Sequence, residues 1–139
     1  MARARLAPAL ALALAMAFAT GACGDAAPPA PEVQSIVVIT VNIAAGVPEL
    51  HQIRVAAHLG SAGMDADLYY PTSPGGPIPS GATLAMLIPT TRSGLLDLVL
   101  YGLDASQTMV ARGNGQTTIA VGKSVYTTIT LSVCGAGGC

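Results

Sequence analysis

Beyond residue 32 the chain alternates apolar and polar positions at a period of two, in short runs separated by Gly, Pro, Asn and Asp. That period predicts strands from end to end, because successive side chains on a strand point to opposite faces. Residues 33–43 place Val33, Val37, Ile39, Val41 and Ile43 on one face, with Ile36 and Val38 making the other face partly apolar. Residues 50–59 alternate more cleanly, with Ile53, Val55, Ala57 and Leu59 pointing one way and Gln52, Arg54 and His58 the other. Further strands are predicted over 66–70, 83–88 and 95–103, the last with Leu96, Leu98 and Leu100 facing the core. Asp104-Ala105-Ser106-Gln107 predicts a hairpin connection into 108–112, Gly113-Asn114-Gly115 a turn into 116–121, and Gly122-Lys123 a turn into 124–133. In that last run Val125, Thr127, Ile129, Leu131 and Val133 alternate with Tyr126, Thr128, Thr130 and Ser132. No segment carries a convincing amphipathic helix period. About 7–8 strands at this spacing predict an all-β domain over residues 33–133, an antiparallel β-sandwich.

The first 22 residues break the pattern. Arg3 and Arg5 form a positive start, an uncharged apolar stretch runs from residue 6 to 18, and small residues follow at 19–22. This is the layout of a secretory signal, and its apolar stretch falls short of the about 20 residues a membrane-spanning helix needs. Ala17-Phe18-Ala19 offers a site for ordinary cleavage. Thr20-Gly21-Ala22-Cys23 resembles the bacterial lipobox, with Thr20 where Leu is usual. The resemblance implies that residues 1–22 are a lipoprotein signal peptide and that Cys23 is acylated and becomes the mature N-terminus. Cysteine arithmetic agrees: with Cys23 acylated, Cys134 and Cys139 remain and can pair in an oxidising compartment. More than one acyl chain makes attachment lasting, since each buried CH₂ contributes about 0.8 kcal/mol. Residues 23–32, rich in Pro and Ala, read as a tether that would extend on the order of 30 Å. In Gram-negative lipoproteins Asp after the cysteine implies inner-membrane retention; Gly24 stands there instead, which implies the outer membrane.

Without residues 1–22, four basic residues (Arg54, Arg92, Arg112, Lys123) face seven acidic ones, a net charge of −3. Nucleic acid is excluded as a partner on this count, because phosphate binding needs clustered Lys and Arg. Phe18 is lost with the signal and the chain has no Trp, so the only aromatic side chains left are Tyr69, Tyr70, Tyr101 and Tyr126. The stretch from Gly94 to Gly113, followed by two Thr/Val/Ile-rich strands, resembles the C-terminal half of immunoglobulin-like and transthyretin-like modules found on bacterial surface lipoproteins. The resemblance covers roughly the last 50 residues and implies a fold more than a function.

Candidate chemistry is sparse. Gly122-Lys123-Ser124 looks like the end of a phosphate-binding loop, but Thr117 occupies the position of the required first glycine and a strand follows. His51 and His58 are seven residues apart, so a regular strand sends them to opposite faces and they share no metal. Asp65 and Asp67 point the same way at a loop-to-strand junction, yet the rest of a calcium loop is missing. No nucleophile elbow accompanies the histidines, so the chain reads as non-catalytic, with no cofactor and no metal site. Residues 71–81 form the one irregular segment long enough for recognition, with Tyr69, Tyr70, Pro71, Pro74 and Pro77 as candidate contacts; the bland reading is a connection that crosses the sandwich. Adjacent Tyr69 and Tyr70 face opposite sides, which makes a flat sugar platform hard to build. Residues 134–139 read as a Cys/Gly tail, and Gly135 to Gly138 are flexible enough for Cys134 and Cys139 to bridge within the chain, against the rivals of an intermolecular bridge or a metal pair. The expected protein is a cell-envelope lipoprotein attached to the membrane by its N-terminal lipid. It serves as a structural or interaction module with an envelope protein or glycan as partner, or alternatively as a small-ligand or carbohydrate-binding surface module.

Overall fold

The computed structural model of the chain describes residues 34–60, 64–89 and 92–139. The signal-like segment, Cys23, the tether and Val33 lie outside them. Seven strands follow in order: β1 (Ser35–Ile43), β2 (Gln52–Leu59), β3 (Met64–Tyr70), β4 (Ala82–Ile88), β5 (Gly94–Leu103), β6 (Met109–Ile119) and β7 (Ser124–Val133). They form one sheet in the order β3-β2-β5-β6-β7-β1-β4.

The sheet curls until its two edge strands face each other, giving a near-closed barrel. The Tyr70 hydroxyl at the end of β3 donates to the Ala85 carbonyl in the middle of β4, 3.1 Å away across the gap. Period-two alternation then sorts the side chains. Val37, Ile39 and Val41 of β1, Ile53 and Val55 of β2, and Leu96, Leu98 and Leu100 of β5 are all buried in one apolar cluster. Met86 and Ile88 of β4, Ile119 of β6, and Ile129 and Leu131 of β7 complete it. At the end of the barrel where β2 begins, Leu50 is buried as well, and a Cβ on Gly102 would stand only 2.7 Å from its Cδ1. Gly102 thus makes room for Leu50 to close that end.

Four expectations need correction. Gly113-Asn114-Gly115 is not a turn: β6 runs straight through it and pairs with β5 along its length, which removes one predicted strand boundary. The glycines serve close approach instead. A Cβ on Gly113 would collide with the Thr130 carbonyl oxygen and lie 2.9 Å from Ile129 Cγ2, so β7 can lie across β6 only where β6 has no side chain. The sheet is not wholly antiparallel, because β1 pairs with β7 in parallel from Ile36↔Ser124 to Ile43↔Leu131. β7 pairs with β6 only at Ala111↔Val133 and Arg112↔Ser132 before it leaves for β1. Leu50 and His51 precede β2 rather than belonging to it. Finally, Gln52 is buried instead of facing solvent, and its amide donates to the Pro71 carbonyl at 2.8 Å.

The other connections match the pattern. Asp104 Oδ1 accepts from the Ser106 and Thr108 amides at 2.8 and 3.0 Å and shapes the hairpin between β5 and β6. Gly122, at φ 70°, makes the turn from β6 to β7. Residues 71–81 are laid along the β1–β2 connection by Ile78 N to Leu50 O (2.7 Å) and Gly81 N to Val41 O (2.8 Å), and His51 Nδ1 lies 2.7 Å from the Gly75 carbonyl.

Candidate functional site: a polar trough on the sheet face

Antiparallel register places outward side chains of neighbouring strands directly opposite each other. On the outer face of β3-β2-β5-β6 this produces three rows. The first row is Tyr69, Arg54, Tyr101 and Arg112, and it continues to Ser132 of β7. The second is Asp67, Ala56, Val99 and Asn114. The third is Asp65, His58, Asp97 and Gln116.

In the first row both guanidinium groups lie over Tyr101, Arg54 at 5.6 Å and Arg112 at 5.7 Å from the ring centroid. Arg54 reaches Asp67 in the next row with a two-pronged contact, Nε to Oδ1 at 2.9 Å and Nη2 to Oδ2 at 2.7 Å. That guanidinium holds the Asp67 carboxyl below its ordinary range, and the carboxylate raises Arg54 in turn. Arg112 differs: among the described residues no carboxylate forms an ion pair with it. In the third row His58 Nδ1 bonds Asp65, which raises the imidazole above its ordinary value of 6.5, and the Gln116 amide donates to Asp97 Oδ1.

Two concavities lie on this face and share Asp97 and Val99. The larger, about 890 Å³, runs over β5, β6 and the end of β7. Its polar lining comes from Asp97, Arg112, Asn114, Gln116 and Ser132, and residues 134–139 form one wall. Cys134 and Cys139 are joined by a disulfide with their Cα atoms 4.9 Å apart, and Gly138 N bonds Gly135 O at 2.9 Å, so this wall is a closed loop. The smaller, about 380 Å³, has Ala56 and Val99 on its floor and His58, Asp65, Asp67 and Asp97 around it.

The side chains singled out in the sequence are distributed around the molecule. Tyr69 faces outward at the β3 end of the first row, while Tyr70 turns into the gap between β3 and β4. Both border a concavity of about 280 Å³ with Asp67, Leu68 and Thr72. Pro71 holds Gln52, and Pro74 and Pro77 lie in the segment along the β1–β2 connection. His51 sits before β2, with Nε2 3.0 Å from Glu49, whereas His58 is near the other end of that strand. Asp65 and Asp67 do share the outer face, but their partners are His58 and Arg54. Among the described residues no group of three or more His, Cys, Asp or Glu is placed to hold a metal ion. Sequence reasoning missed Arg112, Asn114, Gln116 and Asp97; alternation with Leu96 and Leu98 already marks Asp97 as outward-facing, and it marks the other three once β6 is read as one strand.

No family model matches the sequence, and no curated protein matches it. Among solved structures, a leucine-rich repeat protein from Bacteroides thetaiotaomicron is similar at 11% identity and a TM-score of 0.49. The likeness covers 72% of this chain and 12% of that one.

Proposed function

We propose that the chain is a lipid-anchored, non-catalytic interaction module of the bacterial cell envelope, and that the polar trough is its binding face. On this reading Cys23 carries the lipid, residues 23–32 hold the barrel away from the outer membrane, and the barrel is a variant of the immunoglobulin-like or transthyretin-like sandwich. The observation that carries the binding face is Arg112, a guanidinium held over Tyr101 beside Asn114 with no acidic partner among the described residues. A charged group fixed in a concavity and left unmatched by its own chain is available to match a ligand. Among the described residues no helix is long and apolar enough to cross a membrane.

Two measurements test this. Cys23→Ser should move the protein from the membrane fraction to the soluble one; a variant that stays in the membrane, alongside a wild-type protein with an unacylated mature N-terminus, defeats the anchor. An arginine-directed reagent followed by mass spectrometry should label Arg112 in the isolated protein and label it far less on intact envelopes. Equal labelling in both would remove the trough from the binding reading.

A further inference from the structure

Resting on the trough as the binding face, we infer that its ligand is an acidic saccharide, a short chain of neutral sugars carrying one uronic acid unit, with the sugar carboxylate on Arg112 and ring hydroxyls on Asp97, Asn114 and Gln116. The trough is neither simply cationic nor simply acidic. Arg112 stands in the first row and Asp97 with Gln116 in the third, and Arg112 and Gln116 are four residues apart on one strand, about 13 Å. A ligand that satisfies both ends must be elongated, must carry a carboxylate at one point and must offer neutral donors at another. The planar guanidinium accepts a carboxylate in a two-pronged fork. The Asp97 carboxylate only accepts hydrogen bonds, so hydroxyl groups suit it and a second ligand carboxylate would be repelled. The amides of Asn114 and Gln116 both donate and accept, as sugar hydroxyls do.

A peptide fits this place poorly. Extended peptides bind by adding to a sheet edge; β5 is paired on both sides, and a strand added to β6 beyond Arg112, where β7 no longer pairs with it, would lie in the plane of the sheet beside the trough rather than over Asp97 and Arg112 on its face. An amphipathic helix needs an apolar groove, whereas the β6 side of the larger concavity presents Arg112, Asn114 and Gln116. Ring stacking on Tyr101 would compete with the guanidinium groups of Arg54 and Arg112 that lie over it. Recognition then rests on hydrogen bonds and one charge pair from a rigid sheet, closed on one side by the disulfide loop.

The test titrates the full mature chain, purified from membranes in detergent, with a trisaccharide of one glucuronic acid joined to xylobiose, with neutral xylotriose and with a hexaglutamate peptide. The acidic trisaccharide should bind at least about tenfold more tightly than either of the others. Arg112→Gln should weaken it by about tenfold or more, the range expected for a hydrogen bond to a charged group. Lys123→Gln removes an equal charge at the β6–β7 turn and should change affinity less than twofold. Loss at Lys123 equal to that at Arg112 would mean non-specific charge attraction and overturn the inference. Peptide binding as tight as that of the acidic trisaccharide would overturn the saccharide class. Should no probe bind while Arg112 remains protected on envelopes, the saccharide is wrong and the binding face stands; loss of that protection removes both.

Discussion

His58 stands on the outer face between two carboxylates, Asp65 across β3 and Asp97 across β5, and this position sets its titration. The hydrogen bond that its Nδ1 donates to Asp65, then the charge of that carboxylate, and more weakly the charge of Asp97, raise the imidazole above its ordinary 6.5. A value raised in the folded chain means that protonated His58 favours folding. Its contribution is complete below the unfolded value near 6.5 and fades as pH climbs through the higher folded value. An NMR titration of the His58 ring should show a midpoint above 6.5, and Asp65→Asn should bring it down; an unchanged midpoint in that variant would contradict the assigned cause. His58 was legible in the sequence as an outward-facing residue. Its two acidic neighbours were not, because they come from strands whose order no local pattern encodes.

At the scale of the element, β6 shows how one residue type supports two opposite readings. Glycine, asparagine and glycine in succession predict a turn when only local chemistry is weighed. In the barrel the two glycines face inward under β7, and what matters is the missing side chain rather than the freedom of the backbone. Gly113→Ala would press a methyl group on the Thr130 carbonyl, which belongs to the β7 backbone and cannot swing aside as a side chain would. The expected loss is about 1–3 kcal/mol in denaturant unfolding. Gly76→Ala, where a Cβ meets nothing within 4 Å, should stay within about 0.5 kcal/mol of wild type. Equal effects at both sites would return Gly113 to the role of a flexible turn. The disulfide loop belongs to this scale too. Its spacing suggested the bridge from sequence, but that residues 134–139 wall the trough follows only from where β7 ends.

For the whole molecule the decisive feature is how the sheet closes. β3 and β4 are edges, and such edges invite unwanted pairing unless they are short, covered or bridged. Here the Tyr70 hydroxyl bridges them, while residues 71–81 connect the same two strands. Tyr70→Phe keeps the ring and deletes the bond, and should lower stability by at most about 1 kcal/mol while speeding amide hydrogen exchange along β3 and β4. Exchange that remains as slow as in wild type would show that the bond does not close the barrel.

Much of this was decided by sequence alone: strands throughout, most core positions and two of the three turns. These depend on the period of two and on turn residues, both of which act between neighbours in the chain. Only the tertiary structure decided that β1 runs parallel to β7, that β6 is a single strand, that Gln52 is buried, and that Arg112 and Asp97 face the same trough. Each of these follows from pairing between segments distant in the chain. An alternating pattern reports which side of a strand is buried, but not which strand lies beside it, in which direction or at which register.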